Sequence, residues 1–195
     1  MRTLLIATAS LLAIAASSVS ADDLDRIRAR LTGYQEVPAV STPAAGRFVA
    51  TVAADGSYVD YELTYSGLQG VITQSHIHFA QKSVNGPIII WLCGTTALPG
   101  PAGTPVCPIN VAGQTAELSV SGRILAANVL ASPTTAQLPA GALDEALAAM
   151  RAGAAYANVH TSVSPGGEIR GQTRGRGMRK EDERGGGDHD GDHKH

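Results

Sequence analysis

The sequence predicts an all-β fold, an antiparallel sandwich of about eight short strands with one short helix. Two observations predict it. Between Leu31 and Gln172, short runs alternate apolar and polar residues at every second position, which is the period of a half-buried strand. Gly, Pro and Asp-Gly turn signals break these runs at close intervals. We therefore expect strands with one face in the core and one face in solvent.

The clearest strand carries Val59, Tyr61, Leu63 and Tyr65 on one face and mostly polar residues on the other. The Asp-Gly pair at 55–56 precedes it and suits a tight hairpin turn. The other predicted strands cover residues 31–36, 47–53, 73–79, 87–92, 115–124, 155–161 and 167–173. Strands of this length and spacing are typical of a sandwich or barrel.

One segment has helical periodicity instead. Leu143, Leu147 and Met150 recur at the spacing of one helix face, with acidic residues early and Arg151 late. Gly153 stands where a helix would end. We predict a short helix that packs its apolar stripe on the core.

The two ends of the chain differ in composition from the middle. Arg2, the apolar run from Leu4 to Ala16 and small residues up to Ala21 have the layout of a secretory signal peptide. The run is shorter than the roughly 20 residues of a membrane span, so we expect export to the periplasm or extracellular space without a membrane anchor. We predict a signal peptide at 1–21, a charged lead at 22–30, the domain at 31–173 and a disordered charged tail at 174–195.

The charge argues against nucleic acid as a partner. Without residues 1–21 the chain has 14 basic and 17 acidic residues, and the basic ones are scattered along the sequence or have acidic neighbours. A phosphate backbone calls for a concentrated basic face.

The chain has two cysteines, Cys93 and Cys107. In an oxidising compartment a disulfide is expected, closing a loop of about 15 residues. A zinc site is the alternative, but two isolated thiols lack the paired spacing of such sites.

The histidines carry the most specific chemistry. His76 and His78 are two apart in a predicted strand, so their side chains should share a face, with roots roughly 6 to 7 Å apart. His160 lies in another predicted strand. If the two strands are neighbours, three imidazoles form a site that suits copper or zinc, with affinity weakening as the pH falls through about 6.5. In the alternative, His76 and His160 are buried and hydrogen-bonded while His78 lies on the surface.

Glu168 and Arg170 are also two apart in a predicted strand. We favour a structural ion-pair network that holds the C-terminal strand. The functional alternative is that Arg170 attracts an anion toward a metal at the histidines. No serine, cysteine or paired-carboxylate arrangement indicates nucleophilic or acid-base catalysis, so an enzyme is not predicted.

In order along the chain, several blocks resemble the CHRD (chordin) domain family. They are Glu36-Val37-Pro38, Gly67-Leu68, His76-Ile77-His78, Asn85-Gly86-Pro87, and the segments 156–161 and 165–172. The resemblance implies a domain that is repeated in chordin, an extracellular antagonist of bone morphogenetic proteins, and that occurs singly in many microbial secreted proteins. It therefore implies an extracellular protein partner. The cysteine-bracketed insertion departs from the compact family pattern.

A looser resemblance is to copper/zinc superoxide dismutase, whose sandwich carries a His-x-His strand, a later histidine and an arginine. His76, His78, His160 and Arg170 match that order, but the bridging histidine and the zinc ligands have no counterpart between Phe79 and Asn158. The two resemblances imply an Ig-like or superoxide-dismutase-like sandwich. We predict a secreted CHRD-domain protein that binds copper, or else zinc, through three histidines. The alternatives are a metal-free extracellular protein-binding or matrix module and, third, a dismutase-like enzyme.

Overall fold

The computed structural model describes residues 25–132 and 137–175, so the predicted signal peptide and the tail beyond Gly175 lie outside the described residues. Within these ranges the chain forms nine strands and one α-helix. The bounds are β1 Arg26–Thr32, β2 Ala45–Val52, β3 Tyr58–Ser66, β4 Ile72–Phe79, β5 Ile88–Gly94, β6 Leu118–Leu125, α1 Leu143–Ala152, β7 Ala155–Thr161, β8 Ile169–Gln172 and β9 Arg174–Gly175.

All nine strands belong to one antiparallel sheet with the order β5-β4-β7-β8-β1-β2-β3-β6, and β9 pairs with β1. The sheet curls until its two edges approach each other. The Tyr61 hydroxyl of β3 donates to the Leu92 carbonyl of β5, and the Leu130 N–H donates to the Ile89 carbonyl at 2.8 Å. The result is a nearly closed barrel or sandwich, which confirms the predicted antiparallel all-β fold.

The core lies inside this curled sheet. Along β1, Ile27, Ala29 and Leu31 face inward and are at most 5% exposed, while the residues between them face outward. Helix α1 buries Leu143, Ala146, Leu147 and Met150, as its periodicity predicts. It ends at Gly153, whose left-handed φ of 76° suits a residue without a Cβ. Within the described ranges, no helix is both long and apolar enough to cross a membrane.

The predicted first strand, 31–36, is wrong in position. Strand β1 covers Arg26–Thr32, and a short 3-10 turn follows at Gly33–Gln35. The alternation of arginines with Ile27 and Ala29 makes a half-buried strand, although the charges resemble a solvated lead. Strand β9 likewise forms in the first two residues of the predicted tail.

Cys93, on β5, forms a disulfide with Cys107. The segment between them is a surface insertion, held to the strand end by hydrogen bonds from the Gly94 N–H to the Pro105 carbonyl and from the Cys107 N–H to the Gly94 carbonyl. We therefore expect thiol titration of the denatured, unreduced protein to find no free thiol and to find two after reduction. Reduction should lower the free energy of unfolding by roughly 3 kcal/mol, measured by urea titration. Two reactive thiols before reduction would contradict the bond.

Candidate metal centre

The three histidines of the described residues lie on two adjacent strands. His76 and His78 are on β4, and His160 is on β7, which pairs directly with β4. Between the first two, Ile77 points into the core and is fully buried. The histidines therefore occupy the opposite, outer face of the sheet, where the loops 80–87 and 162–168 cover them. They are only 0%, 8% and 6% exposed respectively.

The imidazoles face one another as a compact cluster. The ring centroids of His76 and His160 are 5.0 Å apart, those of His76 and His78 are 5.5 Å apart, and those of His78 and His160 are 5.9 Å apart. One nitrogen from each ring lies within 4.8 Å of the other two. The two histidine strands are therefore neighbours, which is the condition for a shared site, and the three histidines form one group.

Backbone carbonyls fix two of the rings. His78 Nδ1 lies 2.9 Å from the Gly86 carbonyl, and His160 Nδ1 lies 2.9 Å from the Pro165 carbonyl. A carbonyl only accepts, so in both rings Nδ1 carries the proton and Nε2 keeps its lone pair. This carbonyl contact on the far nitrogen is what orients metal-binding histidines in known sites.

The inward nitrogens have no hydrogen-bond partner. Among the described residues, six buried side-chain nitrogen or oxygen atoms lack one, and four of these are imidazole nitrogens of this cluster: both of His76, and Nε2 of His78 and His160. Buried polar groups are usually paired. The alternative of buried, hydrogen-bonded histidines is therefore wrong for His76, which has no partner, and for His78, which is not on the surface. It holds for His160, which is buried and bonded to the Pro165 carbonyl.

Burial keeps the cluster neutral. It lowers the pKa of His76 to about 2, an effect to which the neighbouring His160 and His78 add. It lowers the pKa of His78 to about 4, against a raising contribution from the Gly86 hydrogen bond. Burial also lowers the pKa of His160. All three rings are thus in the neutral form that a metal ion requires.

Aromatic rings enclose the cluster on two sides. The Trp91 ring on β5 meets His76 edge-on with centroids 4.2 Å apart. The Tyr156 ring on β7 stacks flat on His78 with centroids 4.8 Å apart and planes 2° apart. The guanidinium of Arg170 covers the other side of Tyr156, 3.6 Å from its centroid. A cation, an aromatic ring and an imidazole are therefore stacked in sequence.

Arg170 is 1% exposed and donates to Asn85 Oδ1 at 3.0 Å and to the Val84 carbonyl at 3.1 Å. These bonds tie the loop over the histidines to β8.

Near Arg170, the Glu36 carboxylate accepts a hydrogen bond from Asn158 Nδ2 at 2.6 Å. Burial raises the pKa of Glu36 to about 7, although the charge of Arg170 and the Asn158 bond oppose the rise.

Glu168 belongs to a separate network. Its fully buried carboxylate accepts hydrogen bonds from the Thr42 hydroxyl at 2.8 Å, the Thr161 hydroxyl at 2.7 Å and the backbone N–H groups of Gln69 at 2.7 Å and Gly70 at 3.3 Å. Neither it nor Arg170 takes part in an ion pair within 4 Å among the described residues. The favoured prediction of an ion-pair network is therefore wrong. Glu168 instead holds the loop that contains Thr42 and the loop that contains Gln69 and Gly70. Arg170 holds the loop that covers the histidines, through Val84 and Asn85.

Several residues around the site have no predicted role. Trp91, Tyr156, Asn158 and Glu36 reach it through strand pairings between distant segments. The only feature of the sequence that singles them out is that Glu36, Tyr156 and Asn158 lie in the segments that resemble the CHRD family. The chain's single tryptophan lies on a predicted strand, and nothing in the sequence indicates that it is beside a histidine.

Comparison with curated proteins and with solved structures found no significant match. The family model of the CHRD domain matches residues 27–173. That range runs from the second residue of β1 to the residue after β8, and it includes every residue of the histidine cluster. By this match, the chain belongs to the CHRD domain family.

Proposed function

We propose that this protein is an exported copper-binding protein that holds one ion through His76, His78 and His160. The observation that carries the proposal is that one nitrogen from each of the three rings lies within 4.8 Å of the other two, while every imidazole nitrogen not held by a backbone carbonyl is buried without a hydrogen-bond partner. Three imidazoles are a ligand set suited to copper or zinc. Nitrogens bound to one ion at about 2.0 Å are at most about 4 Å apart, so binding requires the rings to rotate slightly inward.

The charge of the site favours monovalent copper over zinc. The three ligands are neutral, and the nearest charged side chain of the stack, Arg170, is positive. The cost of burying an ion rises with the square of its charge, so a divalent ion costs about four times as much as a monovalent one. The carboxylate of Glu168 accepts four hydrogen bonds, and neither Glu168 nor Glu36 belongs to the group of side chains that converge on the site. Calcium and magnesium, which prefer oxygen, are disfavoured.

Such a site suits storage or delivery of the ion. When bound, copper would supply one-electron redox chemistry, while the chain's own residues bind and enclose it. His78 and His160 present Nε2 because their Nδ1 protons are held by carbonyls. Trp91 and Tyr156 exclude water. Export agrees with the disulfide, which is typical of oxidising compartments.

The test uses the full chain with the three tail histidines, His189, His193 and His195, changed to Gln. Truncation after Thr173 would remove β9, which pairs with β1. Anaerobic titration with Cu(I), in competition with a chelator, should give one ion per chain. The single tryptophan, 4.2 Å from His76, should be quenched in step with binding. A parallel Zn(II) titration should show weaker binding.

His78→Ala should weaken Cu(I) binding by about 100-fold or more, because it removes one of three ligands. Thr64→Ala, on the outer face of β3 and away from the histidine strands, is the control and should bind like the parent. If the parent takes up no copper and its fluorescence does not change, the metal function is wrong and the alternative of an extracellular protein-binding module stands.

Binding should also resist acid. Because burial lowers the pKa of His78 to about 4, its ring stays neutral well below pH 6.5. We expect the Cu(I) affinity to be nearly constant between pH 7 and about 5.5 and to fall only as the pH approaches 4. An affinity that falls steeply through pH 6.5 would show that the rings titrate as exposed histidines do.

A further inference from the structure

The fold gathers basic side chains that are scattered in the sequence. Arg28 and Arg30 on β1, Arg47 on β2 and Arg174 on β9 are all exposed. In the sheet, Arg30 lies directly opposite Arg47, and Arg28 lies directly opposite Arg174. We call these four residues the arginine face. It lies on the outer side of the sheet, since the residues between the β1 arginines point into the core.

The strand geometry fixes the spacing of the four side chains. Directly opposite residues have roots about 5 Å apart, and Arg28 and Arg30 are about 7 Å apart along one strand. Four guanidinium groups therefore stand on a rigid surface roughly 10 Å across. Because the sheet fixes the positions of the Cβ atoms, only the arginine side chains lose conformational freedom when a ligand binds.

Within the described part of the chain, no carboxylate oxygen lies within 4 Å of these four guanidinium groups. The two ion pairs found there are Asp60 with Arg123, at 2.7 Å, and Asp25 with Arg151. None of the four residues of the arginine face takes part in either. Like charges directly opposite each other destabilise a sheet. The folding of the domain therefore does not explain why two such pairs are adjacent, whereas an external anion does.

We propose that the arginine face binds an anionic polysaccharide that carries sulfate or phosphate groups. Arginine presents a planar fork of donors that matches the oxygens of these groups. Four such groups suit a polymer with repeated charges better than a single ion. The outward residues of β1 are Arg26, Arg28, Arg30 and Thr32, so this strand offers no apolar side chain for insertion into a bilayer. The site is independent of the histidines and of any metal.

The test measures heparin affinity of the full chain, by calorimetry and by the salt concentration that elutes the protein from a heparin column. Arg28→Gln with Arg30→Gln should weaken binding about tenfold or more and lower the eluting salt concentration. Arg123→Gln with Arg151→Gln makes the same change in net charge at arginines that are already paired, and it should change the affinity less than about twofold.

A third variant, Arg30→Gln with Arg47→Gln, removes one directly opposed pair. Its melting temperature should equal or exceed that of the parent while its heparin affinity falls, which separates binding from a structural role. Vesicles containing phosphatidylserine and a DNA duplex are the competing polyanions. The proposal is overturned if the parent does not bind heparin, or if vesicles or DNA bind at least as tightly as heparin. It is also overturned if the control variant at Arg123 and Arg151 loses as much heparin affinity as the variant at Arg28 and Arg30.

Discussion

A Glu168→Ala variant is expected to lose on the order of 4 kcal/mol of unfolding free energy. The Glu168 carboxylate is fully buried. It accepts four hydrogen bonds, from the hydroxyls of Thr42 and Thr161 and from the backbone N–H groups of Gln69 and Gly70. Removing it leaves these donors without their acceptor, and each unpaired buried group costs about 1 to 3 kcal/mol. The loss should be measured by urea titration at pH 7.

Glu168→Gln keeps one acceptor oxygen and should lose about half as much, so it stays measurable if the alanine variant fails to fold. The matched control is Glu62→Ala. Glu62 is exposed and accepts one hydrogen bond, from Ser119 at 2.9 Å, so its loss should cost less than about 0.5 kcal/mol. A cost for Glu168→Ala below 1 kcal/mol would mean that the network does not hold the loops together.

Acid should destabilise the metal-free protein below pH 6.5. In the unfolded chain, His76 and His78 take up protons near pH 6.5, but in the folded protein burial holds their pKa at about 2 and about 4. Their stabilising contribution is therefore present above pH 6.5 and is lost as the pH falls toward 4. His160 acts in the same direction. Glu36 acts in the opposite direction, because its pKa is raised to about 7, so its contribution is present below pH 4.5 and is lost as the pH rises through 7.

Near pH 5 the unfolded chain thus binds about one to two more protons than the folded one, and the unfolding free energy should fall by about 1 to 3 kcal/mol per pH unit. Urea titrations from pH 7 to 4.5 measure this slope. Two variants should change it in opposite directions: His78→Gln should make it shallower by about 1.4 kcal/mol per pH unit, and Glu36→Gln should make it steeper. Equal slopes in all three proteins would show that these groups titrate alike in the folded and unfolded states.

The sequence predicts those parts of the molecule that depend on local periodicity. Strand β7 and helix α1 form where their patterns place them, and the two-residue spacing of His76 and His78 puts both on one face. Strand β1 was missed because its outward residues are arginines, so its alternation looks like a charged lead. A solvated strand face and a disordered charged segment have the same composition.

The surroundings of the site depend on contacts that no local pattern contains. Glu36 and Asn158 are 122 residues apart, and Trp91 is beside His76 only because β5 pairs with β4. For the same reason, the pH dependence of metal binding expected from the structure differs from the one expected from the sequence. Unperturbed histidines titrate near 6.5, and the burial that lowers the pKa of His78 arises only when the loop 80–87 covers it.

The pairing of β9 with β1 brings the two ends of the domain together. Ile27 and Gly175 are directly opposite each other on paired strands. The chain therefore enters and leaves the domain at one place, about 5 Å apart. A domain with this property can be inserted into the loop of a host protein, or joined in tandem by short linkers, without stretching either connection. The closeness of the two ends of the domain follows from the fold and is independent of the histidine site.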